Sequence, residues 1–289
     1  NFVGTHLSII NSGAKLILCE PDKNTLNIDV FDALKKITKK TKAIVVTHMN
    51  GLSSDIDLLN LQLSDLGYSN IKIIIDAARA CGSEDNNSIV GNKGWATIFS
   101  FHAKKIITTL GEGGMVTTND NGLAKKIMEY RAFGMGEGWG SSYQLSKIQA
   151  EIGIIQLKKI NKFIDLRIEI AKQRIKIIQN SVPDIHIVSN YENYKNIYYL
   201  FTMILPKRLE KKRDLIRDVL KHKYSIDTAV GNKPTYSKNK LLKQYFFNQQ
   251  NVISNDLGNR ILCLPIHPSM TQNDNIYISN SFLKTIWNL

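Results

Sequence analysis

Cysteine is scarce in this chain, and long apolar runs are missing. The 289 residues include three cysteines, Cys19, Cys81 and Cys263, which are widely separated and form no C-x-x-C pair. Neither a disulfide framework nor a zinc site is therefore indicated, and a reducing cytoplasm fits best. No apolar run approaches the roughly 20 residues that a membrane-spanning helix requires. The composition predicts a soluble cytoplasmic protein without a metal and without a membrane partner.

The net charge of +13 is unevenly distributed. Residues 1–150 carry 16 basic and 14 acidic side chains, whereas residues 151–250 carry 20 and 9. In the basic stretch the charges mostly alternate with Ile and Leu at helical spacing, which is typical of a solvated helix face. We favour this interpretation over a nucleic-acid groove because the sequence has neither a recognition motif nor a dense aromatic platform. A basic nucleic-acid-binding protein stays open as an alternative of a different class.

Short β-rich runs alternate with helical patterns through the first half of the chain. The predicted strands are 15–19, 43–47, 71–75, 96–101 and 114–118, and the predicted helices are 29–36, 58–66 and 120–130. Several of these strands are apolar throughout, which suits a largely parallel sheet that is covered on both faces. The alternation predicts an α/β fold.

The second half of the chain has a different pattern. Helical spacing over residues 145–180 predicts one long connecting helix, or two joined end to end. A strand at 198–205, a basic helix at 210–222, a strand at 262–265 and a closing helix follow. We therefore expect a large α/β domain at 1–150, and a connecting helix with a smaller C-terminal domain at 151–289.

Two short polar segments could carry chemistry. Asp76 ends an apolar run, and ligands of open α/β sheets bind beyond the carboxyl ends of the strands. Taken alone, however, Asp76 fits a helix N-cap better. The second segment, 100–105, ends in the pair Lys104-Lys105 and is followed by the glycine-rich run 111–114. A lysine pair is usually surface charge and a glycine-rich loop is usually a turn, so each signal is weak by itself.

Five segments in order make a more specific pattern. They are Phe2-Val3-Gly4-Thr5, Asp76-Ala77-Ala78, Ser100-Phe101-His102-Ala103-Lys104-Lys105, the run 142–150 that starts Ser142-Tyr143-Gln144, and Leu264-Pro265-Ile266-His267-Pro268. They resemble the "FVAT", "EDAA", "SFH-x-x-K", "NYRMSEIQA" and "LPLHP" segments of the DegT/DnrJ/EryC1/StrS family of sugar aminotransferases, which depend on pyridoxal phosphate. The resemblance runs the length of the chain.

The resemblance implies a fold-type I architecture. A large, mostly parallel α/β domain would bind pyridoxal 5'-phosphate, and a smaller C-terminal α+β domain would follow it. It also implies a homodimer with active sites at the interface, and the glycine-rich segment 134–144 resembles the arm that crosses to the partner. Lys105 aligns with the lysine that holds the cofactor covalently, and the register from Ser100 favours it over Lys104.

The same alignment assigns further cofactor contacts. Asp76 would lie against the pyridine nitrogen and keep it protonated, so that the ring can accept electrons. Phe2 and Ala78 would cover the two faces of the ring, although a lone aromatic is also often a core residue. Ser100 would bind the phosphate, and Ser142 stands where the family usually has an Asn that reaches the partner's phosphate.

Two further departures from the family pattern affect local contacts. Arg79 stands where Gln or His is common, and it could either serve the phosphate or phenolic oxygen of the cofactor or face away. Gln144 replaces an Arg. Neither departure changes the expected class of enzyme.

The expected reaction transfers an amino group from glutamate to a nucleotide-linked keto sugar, with Lys105 as the general acid and base. Family members that dehydrate sugars carry His at the lysine position, so Lys105 disfavours that variant. A regulatory or inactive homologue that binds pyridoxal phosphate stays open as an alternative, because cofactor binding and turnover use the same lysine.

One segment of the family pattern is missing from the sequence. Family members place a Gly-Thr turn at a helix N-terminus upstream of the "FVAT" segment, where free backbone N–H groups receive the phosphate. The sequence begins with residues 1–3, directly at the "FVAT"-like segment, so the upstream turn and helix are missing from it. We therefore expect an N-terminally truncated large domain that binds the cofactor weakly.

Overall fold

A computed structural model describes residues 2–191, 193–231, 233–237, 239–246, 249 and 251–289. The first part of the chain forms α1 (Val3–Asn11), α2 (Val30–Lys35), β1 (Ala43–Thr47), α3 (Ile56–Asp65), β2 (Lys72–Asp76), β3 (Glu84–Asp85), β4 (Ser88–Ile89), β5 (Ala96–Ser100), β6 (Gly114–Thr117) and α4 (Asn121–Tyr130). The rest forms α5 (Lys147–Leu157), α6 (Ile160–Ser181), β7 (His186–Ile187), β8 (Phe201–Ile204), α7 (Arg213–Tyr224), α8 (Lys240–Tyr245), α9 (Val252–Arg260), β9 (Ile261–Leu264) and α10 (Gln272–Trp287). Short 3-10 turns occur at Phe133–Gly136, Lys207–Lys212 and Thr235–Ser237. Over the described ranges, no helix is both long enough and apolar enough to cross a membrane.

A four-stranded sheet in the order β1-β2-β5-β6 is the centre of the first half. β1, β2 and β5 run parallel, and β6 is antiparallel to β5. The expected α/β fold with a mostly parallel sheet is confirmed. In the register, Thr47 pairs with Asp76 and Asp76 pairs with Ile98, so the carboxyl ends of three strands meet at one edge. That edge presents the polar residues that follow the strands.

Side-chain caps fix where several helices begin. Asp29, Asp55 and Asp120 each precede a helix and accept a hydrogen bond from the backbone N–H three residues later. Such an acceptor satisfies one of the N–H groups that have no partner within the helix. α5 begins with a capping box, in which Ser146 and Gln149 each bond the other's backbone. The predicted helices of the first half therefore begin within two residues of their predicted starts.

The predicted strand at 15–19 is wrong, because this run forms no strand. β1 pairs with β2 on one side, and among the described residues no strand pairs with its other edge. A cavity of about 870 Å³ is lined both by 15–19 and by β1. The backbone N–H of Leu18 instead donates to Gln249 Oε1 at 2.9 Å. An apolar run becomes a strand only where a neighbouring strand offers hydrogen-bonding partners, and none of the described strands lies beside this run.

The long helical pattern at 145–180 forms two helices, α5 and α6, which meet end to end at Lys158-Lys159. The lysines of α6 are exposed, as a solvated face requires, but Arg167 and Arg174 are buried. Arg174 donates to the carbonyl of Pro265 at 2.7 Å, and Arg167 donates to the carbonyl of Tyr198 at 3.1 Å. These buried guanidinium groups tie α6 to the loops around β8 and β9, so the basic stretch is not simply a solvated face.

α6 also joins two hydrophobic cores. Ile160 and Ile164, at its start, pack into the core under the parallel sheet. Ala171 and Ile178, further along, pack into a second core with α7, α10 and the antiparallel sheet β7-β8-β9. The domain boundary near residue 150 stays a prediction.

Candidate active site

Asp76 is the last residue of β2, and its carboxylate lies at the shared carboxyl edge of the sheet. Its Oδ1 accepts a hydrogen bond from the backbone N–H of Ala78 at 3.1 Å, and its Oδ2 accepts one from Thr5 Oγ1 at 2.6 Å. The residues after Asp76 form a turn and not a helix. The helix-cap interpretation of Asp76 is therefore wrong, and the carboxylate instead links β2 to the first turn of α1.

Lys105 lies in the turn that follows β5. Its backbone N–H donates to the carbonyl of His102 at 2.9 Å, which closes the turn. The side chain of Lys105 is half-buried, whereas Lys104 is exposed. Burial lowers the pKa of Lys105, the positive charge of Arg79 lowers it further, and Asp76 opposes both. An amine with a lowered pKa is unprotonated more often near neutrality and is a better nucleophile.

Arg79 and Lys105 both lie near the ring of Tyr199. The Nη1 of Arg79 donates to Asn50 Oδ1 at 2.8 Å and to the carbonyl of Gly231 at 3.4 Å. The guanidinium carbon lies 5.6 Å from the centre of the Tyr199 ring, and Lys105 Nζ lies 5.3 Å from the same centre. Arg79 therefore lies on the Lys105 side of this edge, and its role toward the cofactor stays a prediction.

Three other predicted residues lie near this edge. Ser100 ends β5, two residues beyond the Ile98 that pairs with Asp76, and it is half-buried. Ala78 is half-buried in the turn after β2. Phe2 immediately precedes α1 and is 63% exposed. It is three residues before Thr5, the partner of Asp76.

Ser142 lies apart from this group. It is exposed and forms an isolated β-bridge with Ala132, which closes the loop of residues 133–141. We call residues 134–144 the arm. Within the described part of the chain, no contact joins Ser142 to Lys105 or Asp76, so one chain does not bring it into the cluster.

The side chains at the edge fit pyridoxal 5'-phosphate. An ionised carboxylate has about four acceptor positions, and Asp76 uses two of them for Thr5 and Ala78. It can therefore also accept a hydrogen bond from a protonated ring nitrogen. Lys105 would supply the amine, and Ser100 would supply a hydroxyl group for the phosphate. Among the described residues, no group of three His, Cys, Asp or Glu is arranged to hold a metal ion.

Sequence reasoning missed three residues of this cluster. Thr5 belongs to the Phe2-Val3-Gly4-Thr5 segment, but its hydrogen bond to Asp76 joins α1 to β2. No pattern within either segment indicates that contact. Asn50 lies in a turn after β1 and has a positive φ of 57°. Asn50 and Gly51 form an Asn-Gly dipeptide, which is a turn signal from which this turn could have been predicted. Tyr199 comes from the second half of the chain, and only the packing of the two halves brings it here.

A mostly parallel α/β sheet that presents a half-buried lysine and an aspartate at one edge is the arrangement expected of a pyridoxal-phosphate enzyme. The chain belongs to the DegT/DnrJ/EryC1/StrS aminotransferase family, whose sequence profile it matches over residues 1–283. The expected family is thereby confirmed, and so are its aminotransferase class and its cofactor, pyridoxal 5'-phosphate.

Individual relatives match most of the chain. A GDP-perosamine synthase of Escherichia coli O157:H7 is 33% identical over 96% of this chain and 76% of that protein. A dTDP-3-amino-3,6-dideoxy-alpha-D-galactopyranose transaminase of Aneurinibacillus thermoaerophilus is 32% identical over 94% of this chain and 73% of that protein. Among solved structures, Helicobacter pylori PseC, an aminotransferase involved in the biosynthesis of pseudoaminic acid, aligns with a TM-score of 0.91 and 28% identity. That alignment covers 100% of this chain and 78% of the other.

Proposed function

We propose that this aminotransferase transfers an amino group from glutamate to a nucleotide-linked keto sugar. The observation that carries the proposal is the half-buried Lys105, whose pKa is lowered, at the same strand edge as Asp76. The names of the two sequence relatives support the substrate class, since both describe nucleotide-linked amino sugars. They differ in the nucleotide, so the carrier of this chain's substrate is left to experiment.

The roles of the individual side chains follow from their chemistry. Pyridoxal phosphate, when bound, supplies a ring that accepts the electrons released at the substrate carbon. Lys105 would hold the cofactor at rest and, when free, move a proton to and from the substrate. Asp76 would keep the ring nitrogen protonated, and Ser100 would bind the phosphate. Ala78 and Phe2 would cover the ring faces.

Arg79 supports this chemistry in a specific way. Burial is the largest cause of the lowered pKa of Lys105, and the charge of Arg79 is the second. A lowered pKa favours the neutral amine that a general base requires. The bond from Arg79 to Asn50 fixes the guanidinium in that position. A Gln at this position would make a similar hydrogen bond but would leave the Lys105 pKa higher.

The active form is proposed to be a homodimer. No residue of α5, all of which the structure describes, is buried, although α5 is rich in isoleucine. The exposed apolar side chains of α5 and the arm are Met135, Trp139, Tyr143, Ile148, Ile154, Ile155 and Leu157. Exposed apolar side chains concentrated in two neighbouring segments mark an interface, and a second copy would cover them. The dimer would also let Ser142 reach the phosphate at the partner's site.

The enzyme is proposed to act in the cytoplasm. All three cysteines are free, and burial raises the pKa of Cys19 and Cys81 to about 11. Such thiols are inert in a reducing compartment and need no pairing.

Purified protein with pyridoxal phosphate, glutamate and a panel of nucleotide-linked keto sugars tests the function. We expect 2-oxoglutarate to form in proportion to one amino sugar, and Lys105→Ala to form none. Cofactor bound without any 2-oxoglutarate would favour the regulatory alternative. Retention on heparin up to high salt, without cofactor binding, would favour the nucleic-acid alternative and contradict the proposal.

A further inference from the structure

The ring of Tyr199 is shared by the two cations of the candidate site. Lys105 Nζ lies 5.3 Å from its centre and the Arg79 guanidinium carbon lies 5.6 Å from it. We propose that Tyr199 is a positioning residue whose ring face holds the free Lys105 ammonium in the site. This inference rests on the proposed function only in so far as Lys105 is the residue on which that function depends.

The physical basis is the negative face of an aromatic ring, which attracts a cation within about 6 Å. The attraction is stronger where water is partly excluded, and Lys105 is half-buried. The charged groups that face Lys105 are Arg79, which repels its ammonium, and Asp76, which attracts it. Arg167, on α6, also lies within electrostatic range of the Tyr199 phenol. The ring offsets the repulsion from Arg79 without adding a second carboxylate that would compete with Asp76.

Tyr199 is held in place by the turn after β1. The N–H groups of Ile197 and Leu200 donate to the carbonyls of Gly51 and Asn50, at 2.9 and 3.3 Å. Gly51 has a φ of +106°, and a Cβ there would lie 2.8 Å from the backbone nitrogen of Tyr199. Only glycine allows this approach. The backbone on both sides of Tyr199 is therefore fixed relative to the turn after β1.

The same turn also fixes the second cation. Asn50 Oδ1 accepts the hydrogen bond from Arg79, and Asn50 Nδ2 donates to Thr202 Oγ1 in β8 at 3.0 Å. One short segment of the first half thus positions both Arg79 and the backbone beside the ring that Arg79 shares with Lys105. A lysine that must release and recapture the cofactor needs a defined resting position, and the ring provides one next to Asp76.

The test uses the cofactor-free protein and no substrate. Acylation of Lys105 by a neutral amine-reactive reagent is followed against pH by peptide mass spectrometry, with fragmentation to separate it from Lys104. Tyr199→Leu removes the ring, so the ammonium loses an attraction and the Lys105 profile should shift to lower pH by roughly 0.4–1.5 units. Tyr199→Phe keeps the ring face and should leave the profile within about 0.2 units of the wild type. The exposed Lys104 should not shift in either variant.

A second variant separates charge from shape. Pentafluorophenylalanine at position 199 keeps the packing of the ring but removes its negative face, so it should shift the Lys105 profile as Leu does. If Tyr199→Leu does not fold, this variant alone decides. A pentafluorophenylalanine profile that coincides with the Tyr199→Phe profile would overturn the proposal. Because neither cofactor nor turnover is measured, failure of the aminotransferase assay would leave this result unaffected.

Discussion

At the scale of single residues, Asp76 shows why one pattern allows two interpretations. Its sequence context, an apolar strand followed by small residues, taken alone favours a helix N-cap over a ligand site. The structure gives the carboxylate two hydrogen bonds at a strand edge and leaves it acceptor capacity. Its role toward the cofactor stays a prediction.

Replacement of Asp76 tests that role. Asp76→Asn keeps the size and one acceptor oxygen but removes the charge that would hold the ring nitrogen protonated. We expect turnover to fall at least on the order of a hundredfold, the scale on which preorganised electrostatic partners act. Steady-state 2-oxoglutarate formation measures this. Asp29→Asn, which exchanges one good helix cap for another, is the matched control and should keep nearly full activity. Near-normal turnover of Asp76→Asn would remove Asp76 from the catalytic set.

The buried His48 should make the free energy of unfolding depend on pH. It is 1% exposed, and its Nδ1 accepts a hydrogen bond from the N–H of Ser54 at 3.0 Å. Burial lowers the pKa of His48 to about 3 in the folded protein, whereas its pKa in the unfolded chain is about 6.5. As the pH falls, His48 therefore binds a proton in the unfolded chain before it does so in the folded protein. Stability from this residue is therefore complete above pH 6.5 and decreases between pH 6.5 and 3.

Urea unfolding at pH 7 and pH 5 measures the effect of His48. His48→Asn keeps an acceptor for Ser54 but does not titrate. We expect the variant to lose less free energy of unfolding than the wild type between these two pH values, by about 2 kcal/mol. Equal losses in the two proteins would show that His48 is not held neutral.

At the scale of elements, local pattern and tertiary context can be separated. The predicted strands at 43–47, 71–75, 96–101 and 114–118 each appear within one residue of the prediction, because an apolar run bounded by turn residues is a local signal. The run 15–19 has the same local signal and forms no strand. A strand also requires the edge of a neighbouring strand to pair with. One run of residues does not show which other segments will lie beside it in the fold.

Replacement of Gly51 tests the contact between the turn after β1 and the segment that contains Tyr199. Gly51→Ala forces an alanine into a φ of +106° and places its Cβ against the Tyr199 backbone. Gly67→Ala is the matched control, because Gly67 also has a positive φ, of 75°, but nothing lies within 4 Å of its added Cβ. We expect Gly51→Ala to lose about 1–3 kcal/mol more free energy of unfolding than the control. Urea titration of both variants decides, and equal losses would show that the turn and the Tyr199 segment are not in close contact.

At the scale of the whole molecule, the active-site cluster draws on segments that are far apart in the sequence. The motif resemblance located Asp76 and Lys105, but no pattern within the sequence predicted the contacts with Tyr199 and Thr5. The Tyr199 contact arises because the segment before β8 packs on the turn after β1, and the Thr5 contact arises because α1 packs on the end of β2. Contacts between segments that are distant in the sequence are therefore the part of the site that sequence reasoning could not reach.

The proposed dimer makes a prediction about surface charge. Ile148 on α5 is 66% exposed and Ile89 on β4 is 68% exposed, so neither should affect folding of one chain strongly. Ile148→Glu places a charge in the proposed interface and should shift the protein towards monomer in sedimentation velocity. Ile89→Glu lies outside that surface and should leave the distribution unchanged. A wild type that sediments as a monomer while fully active would contradict the dimer.

The most direct test of the active site is reductive trapping of the cofactor. Protein incubated with pyridoxal phosphate is treated with borohydride, digested, and the modified lysine is located by mass spectrometry. We predict the modification at Lys105, its loss in Lys105→Ala and its retention in Lys104→Ala, because Lys105 is half-buried whereas Lys104 is exposed, and burial lowers the pKa of Lys105. Modification at Lys104, or at neither lysine of a folded protein that turns over glutamate, would contradict the site.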